Sequence, residues 1–329
     1  MKRLALIWLF ICAFLFTGCQ RENTLSENST NSDISLESFD FSCSINVFRN
    51  DNDSLIPCGY SFDTPENNFL PLTVSTKVSP DKSVESNDIP MRIYVFGNGV
   101  PLDFCLKNNT SGSKFSKIHE LSVNKDVDNT FDISINLDIG EEIHILSILC
   151  DYFPEDIPQK GLGSYSGCIV YSMVNTQFKQ KPHIDDIQNR YYNSEDKEFG
   201  FDIGKNTLSE NNSAIAEHHF YDDVTVSDAK EGVYIKFNSG AQTDIPFYII
   251  LFYDGELISP FEGYYSRSVD CASGKKSFQY QIPMNYFETD GLHTFRAVAL
   301  PAFGRISNGK IEMPYYSTNK VRVQVLRGT

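Results

Sequence analysis

The side chains that could carry out catalysis do not combine into a recognised catalytic pattern in this sequence. The run Gly163-Ser164-Tyr165-Ser166-Gly167 has the outer glycines of a nucleophile elbow, but Tyr165 stands where the serine nucleophile belongs. Gly274-Lys275 has no glycine five positions before it and so does not form a phosphate-binding loop. We therefore expect a protein that is not an enzyme, and a hydrolase is the weakest of the functions considered below.

Histidine and acidic residues do not predict a metal site. His218 and His219 are neighbours, so on a strand they point to opposite faces and cannot share one zinc ion. The acidic loops at 50–54 and 126–132 offer oxygen ligands for calcium, but neither has the Gly and Glu of an EF-hand loop. Acidic turns commonly face water, so we expect no metal and no cofactor; calcium in one of these loops is the alternative.

Paired tyrosines are the best candidates for a binding surface. Both members of a pair cannot face the same side of a strand, so one of each is expected to be exposed. The predicted binding residues are Tyr264, Tyr265, Tyr315 and Tyr316. Exposed tyrosines stack on sugars and anchor protein partners, whereas tyrosines at the rim of a sandwich are the ordinary alternative.

The chain begins with a secretory leader. Met1-Lys2-Arg3 precedes thirteen apolar residues, Leu4 to Phe16, too few to cross a hydrocarbon core of about 30 Å. The following Thr17-Gly18-Cys19 resembles the lipobox of bacterial lipoproteins, although Phe16 stands in place of the usual leucine. The resemblance implies cleavage before Cys19, a diacylglyceryl group on its sulfur, and a lipid anchor in the cell envelope, outside the cytoplasm.

Composition limits the partners of the mature chain. The full sequence has a formal net charge of −15, and loss of Lys2 and Arg3 with the leader makes the mature chain more acidic still. This charge opposes binding to nucleic acid, because phosphate backbones repel an acidic surface. The expected partners are the membrane, through the lipid, and a protein or glycan of unknown identity. Six cysteines remain after the leader and Cys19 are set aside, and they are Cys43, Cys58, Cys105, Cys150, Cys168 and Cys271. Disulfides and buried free thiols both remain open.

Beyond the leader the pattern is that of a tether followed by strands. Residues 20–38 are mostly Ser, Asn, Thr and Glu, a composition that cannot bury enough surface to order itself. The stretch Phe131 to Leu137 alternates apolar and polar residues, which indicates a half-buried strand. Asn98-Gly99 after the apolar run Ile93 to Phe96 is a strong hairpin signal.

The second half of the sequence repeats the first. The segment 89–99 aligns without a gap with 245–255, and Asp254-Gly255 takes the place of Asn98-Gly99. Residues 131–137 are matched by 278–284, and His144 is matched by His293. Short strands separated by regular turns, in two copies, are similar to the immunoglobulin-like domains found on bacterial surfaces.

The predicted fold is all-β, with two tandem antiparallel immunoglobulin-like β-sandwich domains after a signal peptide and a disordered tether. The boundaries we predict are a signal peptide at 1–18, the lipidated cysteine and tether at 19–39, domain 1 at 40–180, a connecting segment with early strands of domain 2 at 181–224, and domain 2 at 225–329. Such a chain suits a surface-exposed, non-catalytic binding or adhesion lipoprotein. The alternative is a structural or assembly component of a pilus or envelope complex.

Overall fold

The computed structural model describes seventeen stretches of the chain. They are 42–51, 54–57, 61–63, 65–80, 86–107, 114–152, 166–173, 190–193, 200–205, 224–226, 233–238, 246–269, 276–302, 305–307, 310–312, 315–318 and 321–326. The chain divides into two compact units, Met1–Glu37 and Ser38–Thr329, and all described residues belong to the second. That unit contains its own hydrophobic cores, which is what a chain needs to fold by itself. Among the described residues no helix is long and apolar enough to span a membrane.

The first domain consists of eleven strands. They are β1 (Ser42–Asp51), β2 (Ser54–Pro57), β3 (Ser61–Phe62), β4 (Phe69–Ser79), β5 (Asp88–Gly97), β6 (Val100–Pro101), β7 (Phe104–Leu106), β8 (Ile118–Asn124), β9 (Asp128–Asn136), β10 (Ile145–Tyr152) and β11 (Ser166–Met173). One sheet has the order β2-β1-β4-β9-β7, and the other has the order β3-β11-β10-β5-β6, with β8 also pairing with β5. This is the immunoglobulin-like arrangement, in which strands A, B, E and D face strands C, F and G.

The second domain contains the remaining strands. They are β12 (Arg190–Asn193), β13 (Gly200–Lys205), β14 (Val224–Val226), β15 (Val233–Asn238), β16 (Phe247–Tyr253), β17 (Glu256–Leu257), β18 (Ser266–Val269), β19 (Lys276–Gln281), β20 (Gly291–Pro301), β21 (Arg305–Ser307), β22 (Lys310–Glu312), β23 (Tyr316–Ser317) and β24 (Val321–Val325). A 3-10 helix, Met284–Phe287, lies between β19 and β20.

The strand order of the second domain repeats that of the first. One sheet runs β12-β19-β15-β13 and the other runs β14-β24-β20-β16-β17, with β18 and β23 at its margins. In both domains the second sheet contains a parallel pair, in which a short strand lies beside the last strand of the domain. The pairs are β3 with β11 and β14 with β24. The first sheets of the two copies differ at both edges. At one edge β2 pairs with β1, and no described strand takes this place beside β13; at the other edge β7 follows the hairpin of domain 1, whereas β12 precedes β13 in the chain. The all-β, tandem sandwich fold predicted from the sequence is confirmed.

Each sandwich is closed by a core between its two sheets. In β9 the alternation predicted from the sequence is observed: Phe131, Ile133 and Ile135 are buried, and the polar residues between them are partly exposed. The core of domain 1 joins these residues to Ile93 and Val95 on β5 of the facing sheet. A second core of the same kind joins β13 and β15 to β16, β20 and β24.

Both sequence-predicted hairpin turns have the expected backbone. Asn98 and Gly99 have φ of 50° and 76°, and Asp254 and Gly255 have φ of 48° and 76°. Positive φ at both central residues defines the type I′ turn, whose twist matches that of the flanking strands.

Candidate interaction surfaces

The two sandwiches pack against each other through the outer faces of β5 and β10 in domain 1 and β16 and β20 in domain 2. A third hydrophobic cluster, hereafter the interdomain cluster, lies there and consists of Tyr94, Phe96, Leu149, Ile250, Phe252, Val298 and Leu300. All seven side chains are at most 1% exposed. The Tyr94 and Phe252 rings meet edge to face, with centroids 5.1 Å apart. Buried aromatic surface of this kind is the main favourable term in domain association.

The interdomain cluster is built from equivalent positions of the repeat. Tyr94 and Phe96 on β5 align with Ile250 and Phe252 on β16. Leu149 and Val298 are also equivalent positions. Leu149 lies directly opposite Tyr94 on the neighbouring strand, and Val298 lies directly opposite Ile250, the residue that aligns with Tyr94. The same surface of both repeats therefore forms the contact, as in the isologous interface of a two-fold dimer.

The hairpin tips make reciprocal contacts across this interface. The carbonyl of Gly255 in domain 2 accepts hydrogen bonds from the Arg92 guanidinium and, at 3.2 Å, from the Tyr94 hydroxyl. In return, Gly99 of domain 1 lies against Tyr248, the residue that aligns with Arg92, and a Cβ on Gly99 would come within 2.5 Å of that ring. Burial, with a smaller contribution from Glu141 of domain 1, raises the pKa of Tyr248 to about 12.

A buried ion pair also joins the domains. Asp151 on β10 is fully buried, and its Oδ1 accepts from the Arg296 guanidinium on β20, whose side chain is 6% exposed. The same guanidinium lies over the Phe252 ring, 5.5 Å from its centroid. The aligned positions hold different residues in the other repeat, Leu300 for Asp151 and Ser147 for Arg296. The pair is therefore an asymmetric contact in an otherwise two-fold interface.

The four tyrosines predicted to bind a partner do not share one environment. Tyr264 is 63% exposed, and Tyr265 beside it is partly buried. Tyr316 packs on the core of domain 2, with its ring 5.5 Å from that of Phe247, and Tyr315 packs against the interdomain cluster. Only the first pair therefore has a strongly exposed ring; the binding role of all four stays a prediction.

Two exposed phenylalanines of domain 1 lie close together, near in sequence to a lysine that contacts Tyr265. Phe69 and Phe115 are each 41% exposed, and their ring centroids are 5.7 Å apart. Two residues after Phe115, the Lys117 ammonium lies 4.7 Å from the centroid of the Tyr265 ring, a cation–π contact between the domains. We call Phe69, Phe115, Lys117, Tyr264 and Tyr265 the aromatic strip.

Sequence reasoning missed the two phenylalanines of the aromatic strip because it assigned most aromatic residues to the core. A signal was present for Phe115, which stands between Lys114 and Ser116 in a segment with no strand alternation. Phe69 had none, since it opens a strand whose remaining apolar residues are buried. The two adjacent exposed rings are therefore candidates for a contact site.

The acidic loops and histidines have structural contacts where they are described. In the turn between β8 and β9 the Asn129 side chain bonds to the backbone of Asn124 and Val127, and Asp132 accepts from Thr73. Across the described residues no group of three His, Cys, Asp or Glu side chains could hold a metal ion. The side chains of 50–54 and of 163–166 lie outside the described residues. Calcium binding stays untested.

The described cysteines are free thiols: Cys43, Cys105, Cys150 and Cys168. Burial raises the pKa of Cys43 to about 12 and also raises the pKa values of Cys150 and Cys168. Thiols held in the neutral form are poor nucleophiles and poor metal ligands, so these residues fit a packing role. Cys19 lies outside the described residues, and its lipidation stays a prediction.

Comparison with known proteins does not place the chain in a family. No protein-family model matches the sequence, and no curated protein matches it. Among solved structures it is similar to a 1.5-MDa bacterial ice-binding adhesin, at 11% identity over 88% of this chain and 66% of that chain, with a TM-score of 0.22.

Two further solved structures are similar at the same low level. One is the CupB6 tip adhesin from Pseudomonas aeruginosa, at 9% identity over 79% of this chain and 90% of that one, with a TM-score of 0.22. The other is a partial N-terminal region of an enterococcal surface protein, at 8% identity over 93% and 98%, with a TM-score of 0.26. At these values the likenesses identify neither a family nor a function.

Proposed function

We propose that this chain is a non-catalytic binding lipoprotein that attaches to a protein or glycan through the aromatic strip. The observation that carries the proposal is the course of the strip, which passes from Phe69 and Phe115 in domain 1 to Tyr264 and Tyr265 in domain 2. Lys117 bridges the two domains at its middle. Large exposed aromatic rings on a stiff support contribute most of the binding energy in many recognition surfaces.

The fixed arrangement of the domains supports this function. A ligand that touches both halves of the strip binds more tightly when the halves are already held in place, because no ordering entropy is lost on binding. The interdomain cluster, the Gly255 contacts and the Asp151–Arg296 pair provide that preorganisation.

The proposed function also includes a membrane anchor, which the leader and Cys19 provide, and a spacer, which the tether provides. Lipid on Cys19 would hold the protein at a membrane of the cell envelope, and a polar segment of about nineteen residues would separate the domains from it by roughly 25 Å. Replacement of Cys19 by Ala should prevent incorporation of labelled fatty acid and block removal of the leader. Label in the Cys19→Ala chain would show that the anchor is elsewhere.

The binding proposal is tested with residues 38–329, the compact unit, on arrays of glycans and of envelope and host proteins. Phe115→Ser and Tyr264→Ser should each weaken binding to any ligand found by about tenfold or more, since hot-spot aromatics contribute roughly 1–4 kcal/mol. Leu292→Ser is the matched control, because Leu292 is 54% exposed and lies off the strip. Its affinity should equal that of the unchanged protein.

Three outcomes would overturn the proposal. If the control variant lost as much affinity as the strip variants, the aromatic strip would not be the binding surface. Polymerisation through open sheet edges, without ligand binding, would favour the alternative of an assembly component. Turnover of ester, peptide or glycoside substrates that one polar substitution abolishes would show an enzyme.

A further inference from the structure

One nitrogen of His293 has two competing partners. Its Nδ1 lies 2.7 Å from the Tyr253 hydroxyl and 2.8 Å from Oδ2 of Asp254. The other nitrogen, Nε2, lies 3.1 Å from the carbonyl oxygen of Thr289. A carbonyl only accepts, so Nε2 carries a proton in this arrangement.

The protonation state of Nδ1 then decides which partner it uses. With a proton on Nδ1 the ring is an imidazolium, and it donates to the Asp254 carboxylate in a charge-assisted hydrogen bond. Without that proton Nδ1 is an acceptor, and it can bond only to the Tyr253 hydroxyl. Burial, followed by the charge of Asp254, raises the pKa of Tyr253, which keeps the hydroxyl proton available.

The groups around His293 favour this exchange. Its side chain is only 12% exposed, and its ring stacks on Tyr253 with centroids 5.1 Å apart. Charged residues on the neighbouring segments include Asp254 and Glu256 in the hairpin and Glu288 and Asp290 before β20, all of them acidic. Arg322 on β24 lies opposite Thr294, not opposite His293. From the 3-10 helix, Tyr286 contacts the Tyr253 ring. On β24, Val323 lies directly opposite His293 and contributes no charge.

The equivalent site in domain 1 lacks the device. Asn98 replaces Asp254, Gly97 replaces Tyr253, and the histidine is His144. There the Asn98 side chain accepts from the backbone N–H groups of His144 and Ile145, at 2.8 and 3.2 Å. In domain 2, Oδ1 of Asp254 accepts the equivalent hydrogen bond from the backbone N–H of Thr294, at 2.7 Å, and Oδ2 faces His293. The carboxylate and the tyrosine are therefore present at this site in domain 2 and absent from the equivalent site in domain 1.

The site is also joined to the interdomain contact. Asp254 is followed directly by Gly255, whose carbonyl accepts from Arg92 and Tyr94 of domain 1. We propose that His293 is a proton-sensitive latch: its protonation draws Asp254 into an ion pair and tightens the hairpin tip that docks on domain 1. The latch is tight when Nδ1 carries a proton and loosens when Nδ1 loses it.

Amide hydrogen exchange and imidazole ¹⁵N shifts of residues 38–329, measured at pH of about 5.5 and about 8, test the latch. After correction for intrinsic exchange, opening at the amides of Asp254 and Thr294, which donate to the Thr294 carbonyl and to the Asp254 carboxylate, should be about twofold to fivefold more frequent at the higher pH, the range of a partly exposed ion pair. The ¹⁵N shifts should show both His293 nitrogens protonated at the lower pH and only Nε2 at the higher one. Asp254→Asn, which copies domain 1, should abolish the pH effect on opening, and the equivalent amides of Asn98 and Ile145 serve as internal controls without one.

Two results would overturn the proposal. An unchanged pH effect on opening in Asp254→Asn would show that the carboxylate is not involved. A neutral His293 protonated on Nδ1 at the higher pH would show that the Tyr253 hydroxyl is not its alternative partner.

Discussion

Asp151 and Arg296 decide how specifically the two domains meet. Most of the interdomain cluster is built from equivalent apolar positions, and apolar contacts alone would tolerate shifts of one face over the other. A buried carboxylate must face its guanidinium, because a buried charge without a counter-charge costs several kcal/mol. The pair therefore fixes the register of the interface more than it adds to its strength.

Arg296→Met should lower the free energy of unfolding by about 3 kcal/mol, since it leaves the Asp151 carboxylate buried without its guanidinium. The double variant Asp151→Leu, Arg296→Met should recover most of this loss. Urea denaturation of residues 38–329 measures both. Glu120→Gln, which removes the 65% exposed partner of Arg92, is the control and should change stability by less than about 1 kcal/mol. A double variant as unstable as Arg296→Met would contradict the account.

The buried Cys150 and the half-buried Cys43 and Cys168 give a prediction about pH. Burial raises the pKa of all three thiols above the ordinary value, that of Cys43 to about 12, so all three are protonated at pH 8. Because thiolates are the reactive form, a disulfide reagent should label these residues at pH 8 only after denaturant unfolds the protein. Mass spectrometry of the labelled peptides gives the sites, and rapid labelling in the folded protein would contradict the assigned burial.

At the scale of elements, the local devices were visible in the sequence and the interdomain contact was not. Asn98-Gly99 and Asp254-Gly255 specify type I′ turns by themselves, and the alternation of 131–137 specifies one wet face. In contrast, Ile93 to Phe96 and Phe247 to Phe252 are apolar without alternation, and both faces of those strands are buried. An apolar run without alternation in an antiparallel sheet indicates that both faces of the strand are buried, here by the core on one side and by the other domain on the opposite side.

Gly99→Ala tests the hairpin as a docking element. The substitution places a Cβ within 2.5 Å of the Tyr248 ring and also strains a residue with φ of 76°. Gly140→Ala is matched, because Gly140 has the same φ and nothing within 4 Å of the added atom. We expect a loss of about 1 kcal/mol for Gly140→Ala and about 1–3 kcal/mol more for Gly99→Ala, measured by urea denaturation. Equal losses would show that the turn does not dock tightly.

At the scale of the whole molecule, the central claim is that two duplicated sandwiches form one rigid body. Relative motion is the ordinary expectation for tandem domains, unless the interface between them is large and apolar. Here seven buried apolar side chains, a buried ion pair and reciprocal hairpin contacts join the domains. Sequence comparison of the repeats identified the duplication, but the pairing of their equivalent faces required the three-dimensional structure.

The most direct measurement of this claim is the distance distribution between spin labels on Lys77 of domain 1 and Gln281 of domain 2. Both positions are exposed, and labels introduced as noncanonical residues leave the native thiols unchanged. The account predicts one narrow distribution, which Phe252→Asp broadens by placing a charge in the interdomain cluster. A broad distribution in the unsubstituted protein, unaltered by Phe252→Asp, would contradict it.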